Sequence, residues 1–144
     1  ELLDLAIQIV HAGNCNDTRS QWQLYNELRS EVERHEGKST DHPMHWETLA
    51  DFTPNIYQCL SIYKNAVHAA EARGFDDRAA SIYFQLANTY YELDDKQAAE
   101  SYARTASALA SKVANFALRD RVCGLLLRLA SDAFHSDKAA GTTH

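Results

Sequence analysis

Proline and glycine are scarce, two and five in a chain of 144 residues, and 45% of the chain is hydrophobic. That combination excludes a collagen-like chain and a wholly disordered one. No apolar run approaches the ~18 residues that a spanning helix needs, so no membrane partner is expected. Cysteine is also sparse: positions 15, 59 and 123 are odd in number, far apart and in no CxxC pattern. This argues against a disulfide framework or a structural zinc site and for a reducing, cytoplasmic setting. The net charge of −6 argues against binding nucleic acid by neutralising many phosphates. No GxGxxG, phosphate loop, GxSxG or HExxH is present, so neither an enzyme nor a cofactor is expected. The chain opens on Glu1 rather than methionine, as a processed chain or a piece of a longer one would. Its first apolar stretch, 2–10, is broken by Asp4 and Gln8 and has no basic lead-in, unlike a secretion signal.

What the chain does have is helical spacing between regular interruptions. A first helix is predicted over about 1–12, ending at Gly13. A second opens at Thr18-Arg-Ser-Gln21, which has the form of a capping box, and carries Trp22, Tyr25, Leu28 and Val32 on one stripe. It stops near Gly37, and 37–43 is a polar loop. A short helix over 44–52 follows. Thr53-Pro54 then reads as an N-cap with proline at the first helical position, opening a helix that ends at Gly74. Asp76 or Asp77 caps the fifth helix, which reaches Leu93, and Asp94 caps the sixth, to about Ser111. A last helix spans 113–135, leaving 136–144 as a flexible C-terminal tail. No segment alternates like a strand. The chain is therefore all-α, about seven helices in one domain over 1–135.

Fifteen of the 22 alanines lie between Ala66 and Ala117, at spacings that let helix axes approach closely. Tyr83, Phe84, Tyr90, Tyr91 and Tyr102 supply the complementary bulk. The run Tyr83, Leu86, Ala87, Tyr90, then Ala99 and Ala106, resembles the tetratricopeptide repeat (TPR) family over residues 83–111. Leu93-Asp94-Asp95 stands at that motif's inter-helix turn. Ala103 takes a position where an aromatic is usual, with Tyr102 beside it, and Ser111 replaces the closing proline. The resemblance implies an antiparallel helix-hairpin stack, a TPR-like α-solenoid of at least three units. The alternative is a non-repeat helical bundle containing one repeat-like hairpin.

One cluster invites a chemical reading: Asp41, His42, His45 and Glu47, with His35 nearby. Imidazole and carboxylate bind transition metals, but Pro43 separates the two histidines, and the segment reads as a polar loop entering a helix. No metal is expected. Asn16-Asp17-Thr18 matches a glycosylation sequon, which helix capping by Thr18 explains equally well. Cys59 and Cys123 fall on apolar stripes as small buried hydrophobes. Cys15 lies in a loop with no base paired to it in the sequence.

The family resemblance implies a concave groove lined by the first helix of each pair. Ser81, Phe84, Asn88, Tyr91 and Glu92 would face it, with Asn115 and Arg119 one repeat further on. The expected function is a protein–protein interaction module, adaptor or chaperone-like, holding a peptide or a partner's helix. The alternative is a ligand-sensing or regulatory domain of a larger signalling or transcription system. Phe84 replaces the lysine that carboxylate-clamping members of the family carry, which excludes that subclass.

The last helix shows two apolar faces. Phe116, Cys123, Leu127, Ala130 and Phe134 form one; Leu118, Val122, Leu125, Leu129 and Ala133 form the other, with Leu126 between. One face packs on the preceding pair, and the other needs a cover. The first-half helices, a second copy or a further domain would supply it. The expectation is a homodimer through Leu118, Val122, Leu125 and Leu129.

Overall fold

The computed structural model describes residues 2–141, with side chains through Asp137. They form seven helices and, among the described residues, no strand: α1 Leu2–Asn14, α2 Thr18–Arg34, α3 Pro43–Asp51, α4 Ile56–Ala72, α5 Asp76–Glu92, α6 Lys96–Lys112 and α7 Phe116–Gly141. Contacts divide the chain into two compact units, Glu1–Arg73 and Gly74–His144, where the sequence suggests one domain. The helix expected to end at His135 continues to Gly141, taking in most of the predicted tail, whose last three residues lie outside the described ones.

Three joints share one construction. Asn16, Asp94 and Ala114 adopt positive φ (56°, 62° and 56°). The amides of the residues after them, Asp17, Asp95 and Asn115, donate back to the carbonyls of Ala12, Tyr90 and Ala110 at 2.9, 3.0 and 2.9 Å. This is the Schellman arrangement, which satisfies carbonyls orphaned at a helix end. The same three residues cap the next helix. Asp17 accepts from the Ser20 amide, Asp95 from Ala98 and Asn115 from Leu118. One residue thus closes one helix and opens another, giving tight αα-hairpins.

This corrects the predicted caps. Asp17, not Thr18, caps α2, and Asp95, not Asp94, caps α6. α5 starts after Phe75, whose side chain makes no cap bond, and Asp76 and Asp77 occupy its first turn, where a negative charge suits the helix dipole. Asn55 caps α4 in place of Thr53. Thr53 is instead buried: its hydroxyl donates to the Leu49 carbonyl at 2.8 Å and lies 2.8 Å from the Tyr25 hydroxyl.

In the first unit, α1 pairs with α2 and α3 with α4, and α2 also touches α3. Ile9, Leu28, Val32, Pro43 and Leu49 are fully buried. The polar loop before α3 is held from both ends. The Asp41 carboxylate accepts from Trp46 Nε1 (2.7 Å) and from the Gly37 amide (2.9 Å). Arg73, at the end of α4, donates from Nε to the Asp41 carbonyl at 2.7 Å and from its guanidinium to the Ser39 carbonyl.

In the second unit, α6 packs between α5 and α7, and its inner face is alanine: Ala99, Ala103, Ala106 and Ala110, all fully buried. Tyr102 lies between Tyr83 and Tyr90, with ring centroids 6.0 and 5.4 Å away, so it provides the bulk that Ala103 lacks. From α7, Leu118, Val122, Leu125 and Leu129 enter the same cluster, each 6% exposed or less. The expected self-association face is therefore the inward face. The reason is steric: an alanine surface offers shallow holes, and branched side chains spaced i, i+4, i+7, i+11 fill them. The face that stays outside is the other one, with Phe116 56%, Leu127 71% and Phe134 64% exposed. Cys123 is exposed with it, against its expected burial.

Candidate functional site

The stripe Ser81, Phe84, Asn88, Tyr91 is half-buried along α5, and Glu92 beside it is exposed. Two arginines of α7 meet this stripe. The Arg121 guanidinium lies 5.5 Å from the Phe84 ring centroid, and that of Arg128 lies 5.7 Å from Tyr91. The Tyr91 hydroxyl donates to Asp132 Oδ2 at 2.7 Å, and Lys96 Nζ stands 3.6 Å from the same oxygen. The hydrogen bond pushes Tyr91 up and Asp132 down from their ordinary ranges. The result is a strip in which aromatic faces and exposed guanidinium edges alternate, with the Asn88 amide between them. Cations over rings in this geometry contribute modestly to stability while keeping donors free for a third group.

Asn115 and Arg119 are engaged elsewhere. Besides capping α7, Asn115 donates from Nδ2 to Asp77 Oδ1 at 2.8 Å, tying the start of α7 to the start of α5. Arg119 lies over its own helix's Phe116 ring, 4.8 Å from the centroid. The sequence reading noted Arg121 and Arg128 as charges of the last helix but assigned neither them nor Asp132 to the groove. Their spacing of seven and four residues places all three on one side of α7, a signal visible in the sequence, but nothing local says that α5 lies opposite.

The histidine cluster is real in space. His45 has ring centroids 5.8 Å from both His35 and His42. His42 is itself the N-cap of α3, its Nδ1 accepting from the Met44 amide at 3.1 Å, so Pro43 at N1 assists the cap. His35 contacts Thr40 Oγ1 through Nδ1 (2.6 Å) and Glu31 Oε1 through Nε2 (3.4 Å). A recess of about 440 Å³ beside these rings is lined by Leu2, Leu3, Met44 and Thr48 as well as His35 and His45. Among the described residues, no three His, Cys, Asp or Glu side chains converge as a metal-binding set. The nitrogens of His35 and His42 are turned to caps and local bonds.

His45 Nδ1 is buried without a hydrogen-bond partner. Burial, then the neighbouring His42 and His35, hold His45 below the ordinary imidazole value of 6.5, with Arg73 acting the same way and Asp41 opposing. The folded chain therefore resists the proton that the unfolded chain accepts. Stability from this site is complete above about pH 6.5 and is lost as pH falls through the folded value. Thermal melts between about pH 7.5 and 5.5 should fall with acidification, and His45→Gln should flatten that slope. Identical slopes in the two proteins would assign the acid sensitivity to other groups.

Cys59 Sγ donates to the Thr53 carbonyl at 3.1 Å, and burial, with the Asp51 carboxylate, pushes its pKa up. Cys15 Sγ is 3.9 Å from His11 Nε2, one turn earlier in the chain, and is exposed. No helix of the described residues is long and apolar enough to cross a membrane. No family model matches the chain, and neither a curated protein nor a solved structure matches it.

Proposed function

We propose that the chain is a TPR-like protein–protein interaction module, adaptor-like, that holds a peptide or partner helix on the strip formed by α5 and α7. The observation that carries this reading is the pair of ring–guanidinium contacts, Phe84 with Arg121 and Tyr91 with Arg128, seven residues apart on both helices. The family resemblance of 83–111, with its alanine-for-aromatic complementarity between α5 and α6, supports it. The chemistry selects the partner. Rigid aromatic faces take apolar side chains, two exposed guanidinium groups take carboxylates, and Asn88 bonds a backbone amide in either sense. An acidic segment with interspersed apolar residues fits. Three free cysteines suit a reducing, cytoplasmic setting.

Selection of peptides from a random library on the purified protein tests the reading. Enriched sequences should combine acidic and apolar positions. Tyr91→Ala should then weaken a selected peptide at least about fivefold, and Arg128→Ala by a similar factor. Unchanged affinity in Tyr91→Ala, Asn88→Ala and Arg128→Ala would remove this strip as the binding surface.

A further inference from the structure

The joint between α3 and α4 forms one wall of a recess of about 380 Å³, and α1 and α2 supply the others. Phe52 and Pro54 line it from the joint, Trp22 and Tyr25 from α2, and Ile9 from α1. The Trp22 and Tyr25 rings are stacked, with 5.9 Å between centroids and 25° between planes. Tyr25 is held in place: its hydroxyl meets Thr53 Oγ1 at 2.8 Å, and the Thr53 hydroxyl donates to the Leu49 carbonyl. Trp22 is 61% exposed, so a large aromatic surface is open to solvent at the recess. The volume falls in the range of small-ligand sites.

A single charged group lines this recess, Asp51. Within the chain that charge brings cost and no visible return. Asp51 is the last residue of α3, at the end where the helix dipole is negative and a carboxylate is unfavourable. The residue as a whole is exposed, yet its carboxyl group is hemmed in enough that burial holds its pKa above the ordinary value of 3.8. Among the described residues no cation pairs with it and no donor bonds to it. A carboxylate that is partly desolvated, opposed by a dipole and unpaired calls for a cation. The rings beside it attract the same sign of charge, through the negative potential of their faces.

We propose that this recess binds an alkylated ammonium group, such as a trimethylammonium, with Asp51 balancing its charge and Trp22, Tyr25 and Phe52 receiving its methyl groups. The lining selects for alkylation. A bare ammonium brings three N–H donors, each of which needs an acceptor. Asp51 is the one ionised acceptor here, Thr18 and Gln21 add only neutral ones, and the Tyr25 and Thr53 hydroxyls are engaged with each other and with Leu49. A trimethylammonium has no donor to satisfy, and its charge is spread over methyl groups that rest well on ring faces. Free cations such as choline carry this group, and so does trimethylated lysine in a peptide. The recess lies wholly within the first unit, so it is independent of the strip on α5 and α7.

Calorimetric titration of the full chain with choline, and with a glycine-flanked peptide carrying one trimethyl-lysine, tests the site. Saturable binding is expected. The neutral tert-butyl analogue of choline, alike in shape but uncharged, should bind at least about tenfold more weakly, as should the peptide with unmodified lysine. Asp51→Asn and Trp22→Ala should each weaken choline at least about fivefold. Without ligand, Asp51→Asn should melt no lower than the parent, since it removes a charge that nothing in the chain pairs. Tighter binding of the trimethyl-lysine peptide than of choline assigns the group to a partner protein; equal or weaker binding assigns it to a free cation. No saturation by ~10 mM of either, ten times a millimolar dissociation constant, overturns the proposal. So does a neutral analogue or an unmodified peptide that binds equally well, or an affinity unchanged in both variants. An Asp51→Asn chain that melts several degrees lower would make the carboxylate part of the fold and overturn it too.

Discussion

Leu125→Ala should cost about 3–5 kcal/mol, the upper part of the range for removing a buried leucine. Leu125 is fully buried, and its surroundings set the size of the effect. It belongs to a cluster whose members on α5 and α6 are alanines: Ala80, Ala87, Ala99, Ala103, Ala106 and Ala110. The buried alanines have no rotamer with which to fill a void, so a large part of the closure falls to backbone movement. Backbone movement is opposed by the Schellman joint that fixes Ala114 and Asn115 at the start of α7. For a unit of this size, a loss of about 3 kcal/mol lowers the melting temperature by more than 10 °C or so. Leu127→Ala, two residues away and 71% exposed, should stay within about 0.5 kcal/mol in the monomer. Equal effects at the two positions, measured by denaturant unfolding, would mean that α7 presents its other face to α6.

Trp46→Ala should cost a comparable amount, about 3–5 kcal/mol, and unfold the first unit. Trp46 is 3% exposed, and it does two things at once. Its ring fills the interior of the unit, and its Nε1 fixes the Asp41 carboxylate, which also receives the Gly37 amide. Through Asp41, whose carbonyl accepts from Arg73, the loop after α2 is tied to the end of α4. Trp46→Phe keeps most of the volume and drops the hydrogen bond, so it should cost only about 1–2 kcal/mol. The two substitutions separate packing from loop anchoring. Trp22 is 61% exposed, so a Trp22→Phe background makes fluorescence report Trp46 alone. A shift to longer wavelength on unfolding of that variant, with a midpoint matching circular dichroism, is the expected signal. Equal losses for the phenylalanine and alanine variants would assign the effect to the Asp41 bond rather than to burial.

The sequence by itself determined the class of structure and the number of helices. Helix formation is local: apolar spacing of three and four, together with Asn, Asp and Gly at intervals of about 20 residues, needs no distant partner to be read. The complementarity of alanines and tyrosines between α5 and α6 was likewise visible, because both helices lie in one short stretch of chain. Cap positions were misread by one or two residues at α2, α4 and α6. A cap is chosen jointly by the helix that follows and the helix that has just ended. The back-donation from Asp17 to Ala12, and from Asp95 to Tyr90, decides which polar residue takes the role.

Only the tertiary structure decided which side of α7 goes inward. Periodicity gives two apolar faces of similar strength, and hydrophobicity ranks neither, because the choice depends on the shape of a surface from another helix. Shallow alanine holes on α6 accept Leu118, Val122, Leu125 and Leu129, and this leaves Phe116, Leu127 and Phe134 outside. The sequence placed the three histidines near one another and the arginines on the last helix, but did not show what the arginines face, for the same reason. Arg121 meets Phe84 across a distance in the chain that no local pattern encodes. Local spacing fixes which residues share a face; packing between distant segments fixes what that face meets.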